Sequence, residues 1–156
     1  MDLSRYQDPV VIRRALTMPR VAIVGLSDNE LRASNFVGRY LLMHGYQVIP
    51  VNPMAKQVLG QPCYASLTDI PGPIDTVDVF RKPEAVPDIA RDAVAIGAKC
   101  LWLQYNVISE QGAAIAEAGG LEVVMDRCMK VEHARYLGRM HWLGFNTGRV
   151  IATRKV

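Results

Sequence analysis

Arg20-Val21-Ala22-Ile23-Val24-Gly25-Leu26-Ser27 is the stretch on which the reading of this chain turns. Val21 to Val24 are apolar without alternation, which marks a strand covered on both faces. Gly25 permits a sharp turn off that strand. A polar loop follows. Ser34 then reads as the cap of a helix in which Val37, Tyr40, Leu41 and His44 recur at helical spacing, His44 being expected partly buried. Gly45 sits where glycine commonly ends a helix. Buried strand, turn and amphipathic helix together open a parallel α/β unit.

The same rhythm continues outward. Further strands are predicted over 47–51, 76–80, 100–103 and 122–125. Helices are predicted over 84–96, ending at Gly97, and from the Ser109 cap to about Ala118, broken by Gly119-Gly120. A short helix is expected over 129–137. Another is expected over 9–17, with Asp8 as its cap and Pro9 in its first turn. The proline-rich stretch 54–73 reads as loop, with a short strand near Cys63-Tyr64 and a helical turn over 66–70. Alternating elements with short connections predict an α/β, Rossmann-like three-layer sandwich with a mainly parallel sheet of about five strands.

Composition narrows the function classes. The chain has 156 residues, enough for one domain with a real core. Half of the residues are hydrophobic and 21% are charged, which excludes a disordered chain. The net charge of +3 is too mild to announce a nucleic-acid binder. No apolar run is long enough for a membrane span, and the first twenty residues lack the continuous apolar stretch of a signal peptide. Cys63, Cys100 and Cys128 are scattered and form no CxxC pair, so they read as reduced thiols of a cytoplasmic protein. The three histidines have no metal-site spacing. His141, beside Trp142, is expected in packing or a partner contact.

In an open parallel sheet, ligands lie beyond the carboxyl ends of the strands, where the strand order reverses. That rule selects five loops. The first carries Gly25, Ser27, Arg32 and Ser34, a combination of turn, hydroxyls, cation and helix start that suits a phosphate. An ordinary capped connection explains the same residues equally well. The second carries Asn52, Pro53 and Lys56. The third, Phe80-Arg81-Lys82-Pro83, sets two cations before a helix start, where cations are unfavourable, and so hints at a bound anion. The fourth carries Gln104 and Asn106, amides that suit a ligand amide or their own loop backbone. The fifth contains Cys128 and His133, for which a structural role is favoured over a catalytic dyad.

Several in-order segments carry a family resemblance. They include Tyr46-Gln47-Val48-Ile49-Pro50-Val51-Asn52-Pro53, Val77-Asp78-Val79-Phe80-Arg81-Lys82-Pro83 and Val124-Met125-Asp126-Arg127-Cys128-Met129-Lys130-Val131-Glu132-His133. With the opening strand and Ala98-Lys99-Cys100-Leu101-Trp102-Leu103-Gln104, the chain resembles the small stand-alone coenzyme A-binding proteins of bacteria and archaea. It is also similar to the N-terminal domain of the succinyl-CoA synthetase alpha subunit. The likeness covers about residues 8–138. It implies one coenzyme A-binding domain over 1–138, followed by a C-terminal extension over 139–156 that packs on the domain or on another subunit.

The resemblance implies non-catalytic binding of coenzyme A or an acyl-CoA. Gly25, Ser27 and Ser34 would hold the pyrophosphate, with Arg32 adding charge. Asn52, Pro53 and Lys56 would lie near the ribose and its 3′-phosphate. Phe80, Arg81, Lys82 and Pro83 would border the nucleotide, and Gln104 and Asn106 the pantetheine. Succinyl-CoA synthetases also need a phosphorylatable histidine on a further domain and a second subunit. No catalytic residue is therefore expected here, and the expected partners are coenzyme A and either a second copy or an unidentified protein. Two alternatives stand beside this reading. One is an NAD(P)-binding regulator or oxidoreductase, opposed by the absence of G-x-G-x-x-G and by Asn52 where an acidic residue is wanted. The other is a redox protein forming a mixed disulfide between Cys128 and the coenzyme A thiol, with Arg127 and Lys130 available to lower the Cys128 pKa.

Overall fold

The computed structural model describes residues 1–138, so His141 and the extension over 139–156 lie outside the described residues. In chain order the elements are α1 (Pro9–Leu16), β1 (Arg20–Val24), α2 (Ala33–Met43), β2 (Gln47–Val51), β3 (Gln57–Val58), β4 (Gln61–Pro62), β5 (Thr76–Val79), α3 (Val86–Ala95), β6 (Cys100–Leu103), α4 (Glu110–Ala118), β7 (Glu122–Met125) and α5 (Met129–Tyr136). Local chemistry accounts for several boundaries. The Asp8 carboxylate accepts the Val10 amide with Pro9 at the helix start, and the Ser109 hydroxyl accepts the Gly112 amide. Gly45, at φ +88°, follows α2 in the left-handed region that glycine tolerates.

Five strands form one sheet in the order β2-β1-β5-β6-β7, and every pairing is parallel. Val24 lies opposite both Val51 and Val79, Val79 opposite Leu103, and Leu103 opposite Met125. The carboxyl ends are thus level, and their loops open on one rim. The chain runs outward from β1 to β2, then returns to the other side of β1 for β5. The reversal between β1 and β5 is where this topology leaves a crevice.

Both faces of the sheet are covered, which is why its strands read as unbroken apolar runs. Ala22, Val77, Val79, Leu101, Leu103, Val123 and Met125 pack under α3 and α4 with Val86, Ala90 and Ala113. Val21, Ile23, Val48, Cys100, Trp102 and Val124 pack under α1, α2 and α5 with Ile12, Leu16, Leu41 and Met129. No helix among the described residues is long and apolar enough to cross a membrane.

Four local readings are corrected. Arg32, not Ser34, occupies the cap position of α2, and no side chain caps it, because the Ser34 hydroxyl is turned to the preceding loop. The 84–96 helix begins at Val86, preceded by a 3₁₀ turn over Pro83–Ala85. The short strand expected around Cys63-Tyr64 is reduced to a single parallel bridge of Tyr64 with Val51, while Gln61–Pro62 forms a hairpin with β3 through Leu59 and Gly60, both at positive φ. His44 is exposed rather than partly buried, since it closes α2 and its ring stacks on Tyr40 at 4.0 Å.

Candidate functional site

Gly25 makes the crevice at the reversal possible. It holds φ +88°, and a Cβ built there would lie 2.5 Å from the Phe80 carbonyl oxygen. The two loops therefore approach as closely as backbone allows. Beyond Gly25 the first loop is self-bonded. The Ser27 amide donates to Ser34 Oγ at 3.0 Å, Ser27 Oγ accepts the Asn29 amide at 3.0 Å, and Asn35 Nδ2 donates to the Ser27 carbonyl at 2.8 Å. Both serine hydroxyls act there as acceptors and keep their O–H for a ligand. The amides of Asn35 and Phe36 both donate to the Arg32 carbonyl, leaving those of Ala33 and Ser34 free at the start of α2.

Asn52 ties the second loop to the first, donating from Nδ2 to the Leu26 carbonyl at 3.1 Å and accepting the Met54 amide at 2.9 Å. Leu26 itself is fully buried against Gly38, whose missing side chain makes room for it. Lys56 is exposed.

Three adjoining cavities run along the rim. One of about 370 Å³ is lined by Gly25, Ser27, Arg32, Ala33, Ser34 and Phe80. A second, of about 410 Å³, shares Ala33 and Phe80 with it and continues over Val37, Arg81, Lys82, Pro83, Gln104, Tyr105, Asn106, Val107 and Cys128. A third, of about 240 Å³, meets the second at Arg81 and is lined by Val51, Pro53, Leu67 and Ile89. Of the residues singled out by sequence, Asn52 and Lys56 line none of the three. Asn52 acts on the first loop from behind. Arg32, Arg81 and Lys82 have no carboxylate partner among the described residues. Arg13, Arg20, Arg39, Lys56, Arg127 and Lys130 also lack one, but of the unpaired cations only Arg32, Arg81 and Lys82 line the cavities. Unpaired cations collected around free amides favour an anion.

The fourth and fifth loops close the far end. Asn106, at φ +66°, donates its amide to Asp126 Oδ1 at 2.7 Å. Gln104 is buried and donates from Nε2 to Asp78 Oδ1 at 2.7 Å. Sequence reading did not single out Asp78. Its signal was a carboxylate inside an otherwise apolar run, Val77-Asp78-Val79. Burial pushes that carboxyl up to about 8, against the hydrogen bond from Gln104.

Burial likewise pushes the Cys128 thiol up to about 11, which makes it a poor nucleophile at neutral pH. His133 Nδ1 lies 2.8 Å from the Tyr40 hydroxyl, and its ring packs edge-on to Tyr46. The two residues of the considered Cys–His arrangement thus have separate structural roles. Among the described residues no three His, Cys, Asp or Glu side chains are grouped to hold a metal.

Comparison with known proteins identifies the family. A family model described as "CoA binding domain" matches residues 19–134. An uncharacterized protein, YneT, from Bacillus subtilis is 40% identical over 115 residues, covering 74% of this chain and 85% of its own. Acetate–CoA ligase [ADP-forming] I from Archaeoglobus fulgidus is 27% identical over 119 residues, which are 70% of this chain but only 17% of the ligase. A solved structure of a hypothetical protein from Pyrococcus horikoshii OT3 superposes with a TM-score of 0.81 at 43% identity, covering 84% of this chain and 93% of that one. With its sheet, its rim of loops and a match spanning residues 19–134, this chain belongs to the CoA-binding domain family.

Proposed function

We propose that this protein binds coenzyme A or an acyl-CoA along the carboxyl rim of its sheet and catalyses no reaction by itself. The observation that carries the reading is the set of three joined cavities at the strand reversal, with Arg32, Arg81 and Lys82 unpaired around them. Each cavity suits one part of coenzyme A, the 410 Å³ cavity adjoining both of the others. The cavity at Val51, Pro53 and Ile89 suits the adenine, with Lys56 on the adjacent loop for the ribose phosphate. The Ala33 and Ser34 amides, the Ser27 and Ser34 hydroxyls and Arg32 suit the pyrophosphate. The longer cavity past Phe80 and Pro83, walled by Val37, Tyr105 and Val107 with the amides of Gln104 and Asn106, suits the pantetheine arm.

The test is calorimetric. Replacing Arg81 and Lys82 together with alanine weakens coenzyme A binding by at least ~1.5 kcal/mol, about tenfold in Kd, through lost charge-assisted bonds. An unchanged affinity removes this placement of the ligand. Thermal shift ranks the cofactors, because a ligand bound only by the native state adds about 2.7 kcal/mol at a hundred times its Kd. The reading requires stabilisation by coenzyme A. Stabilisation by NAD alone would transfer the site to a dinucleotide.

A further inference from the structure

Asp78 lies on the central strand β5, opposite Ile23 and Trp102, and is 0% exposed. Such a carboxyl in an apolar layer is costly unless its bonds serve something. Two groups meet it, the Val79 amide and Gln104 Nε2, the latter at 2.7 Å from Oδ1. Asp78 Oδ2 is buried without a partner among the described residues. Burial keeps the carboxyl protonated at neutral pH; with its O–H on the unpartnered Oδ2, the other oxygen, Oδ1, is the acceptor that draws the nitrogen of the Gln104 amide inward. That leaves Gln104 Oε1. It has no hydrogen-bond partner among the described residues and is not one of the buried unpaired atoms, so it is the atom Gln104 offers to the 410 Å³ cavity.

The cavity is largely apolar, with Phe80, Tyr105, Val107 and the neutral thiol of Cys128 in its lining, and its donors, Arg81, Lys82 and Asn106, are on the same lining. An acceptor in such a wall selects a ligand end that carries a donor. A free thiol has an S–H. A thioester at the same place offers a sulfur and a carbonyl oxygen, neither bearing a hydrogen, and sets acceptor against acceptor.

We propose that the site takes the free-thiol form of coenzyme A in preference to its thioesters, with Gln104 Oε1 as the discriminating acceptor and Asp78 as the positioning residue that keeps this oxygen facing the ligand. The proposal rests on the reading that the pantetheine arm occupies this cavity.

Titration calorimetry of the full chain with coenzyme A, acetyl-CoA and desulfo-CoA tests it. The thiol form is expected to bind about two- to fivefold more tightly than either of the others, the worth of a hydrogen bond from a weak S–H donor. Asp78→Leu keeps the bulk but removes the acceptor, frees the Gln104 amide to turn over, and brings the three affinities close to one another. Gln104→Met keeps the bulk but removes the oxygen. It has the same expected effect, and it carries the test should Asp78→Leu fail to fold. A merely structural role would weaken all three ligands together and leave their ratio intact, so an unchanged ratio in the folded variants overturns the proposal. Equal affinity of the wild-type protein for the three forms overturns it as well, while leaving coenzyme A binding standing. Binding of none of them overturns the underlying reading.

Discussion

At Gly25 one absent side chain lets two loops meet. The residue holds a left-handed φ, and its missing Cβ faces the Phe80 carbonyl, an atom that cannot swing away. Gly25→Ala is therefore expected to cost more than ~1 kcal/mol in stability and to push the third loop off the first, weakening ligand binding as well. An unchanged urea midpoint together with unchanged coenzyme A affinity would refute this. Ser34 and Asn52 show how far a residue's identity carries its role. Each was legible as a polar residue on the correct rim, but Ser34 closes the loop through the Ser27 amide instead of capping α2. Asn52, standing where an acidic residue would hold a ribose, bonds the Leu26 carbonyl instead. A hydroxyl or amide can satisfy many partners, and only the folded neighbours choose among them.

Between elements, glycine permits the contact of α3 with α4. A Cβ at Gly119 would lie 2.4 Å from Val94 Cγ2, and one at Gly112 would lie 2.4 Å from Val86 Cγ1. Gly119 has φ −87°, so alanine there meets no backbone strain and isolates the packing effect. Gly119→Ala is expected to lower stability by about 1–3 kcal/mol, since a β-branched valine on α3 packed against the end of α4 has few rotamers to yield into. Thermal unfolding measures it, and a stability equal to wild type would mean that the helices separate freely. In the sequence Gly119 reads only as a helix breaker and Gly112 as an ordinary position inside α4. Their second use, a close approach between helices, involves partners far away along the chain and leaves no local signature.

Across the whole molecule, two buried groups set opposing pH trends. Burial lowers the His133 pKa below its ordinary 6.5, with His44 adding to the effect. The unfolded chain then binds more protons below that pH, so His133 removes stability as pH falls through about 6.5. Asp78 works the other way. Its carboxyl is raised from 3.8 to about 8, so the native state holds the extra proton and stability declines as pH rises across that interval. Urea midpoints should therefore fall through Asp78 as pH rises from 3.8 to about 8, with no further change from it above that, and fall through His133 as pH drops below about 6.5. Asp78→Asn should flatten the decline between about 6.5 and about 8, where Asp78 acts without His133, and persistence of that decline in the variant would assign it to another group. What the sequence determined alone is the succession of elements. Run length, helical spacing and turn residues act within a few neighbours, so the five strands, the helices between them and the loops on the carboxyl rim of the sheet were readable from Arg20 to Tyr136. Tertiary structure decided which strands lie side by side, and hence that the crevice opens between β1 and β5. It also decided that Asp78, twenty-six positions from Gln104, is its buried partner. Burial and partnership arise from residues distant along the chain, and they govern proton affinity and which atom a side chain turns to a ligand.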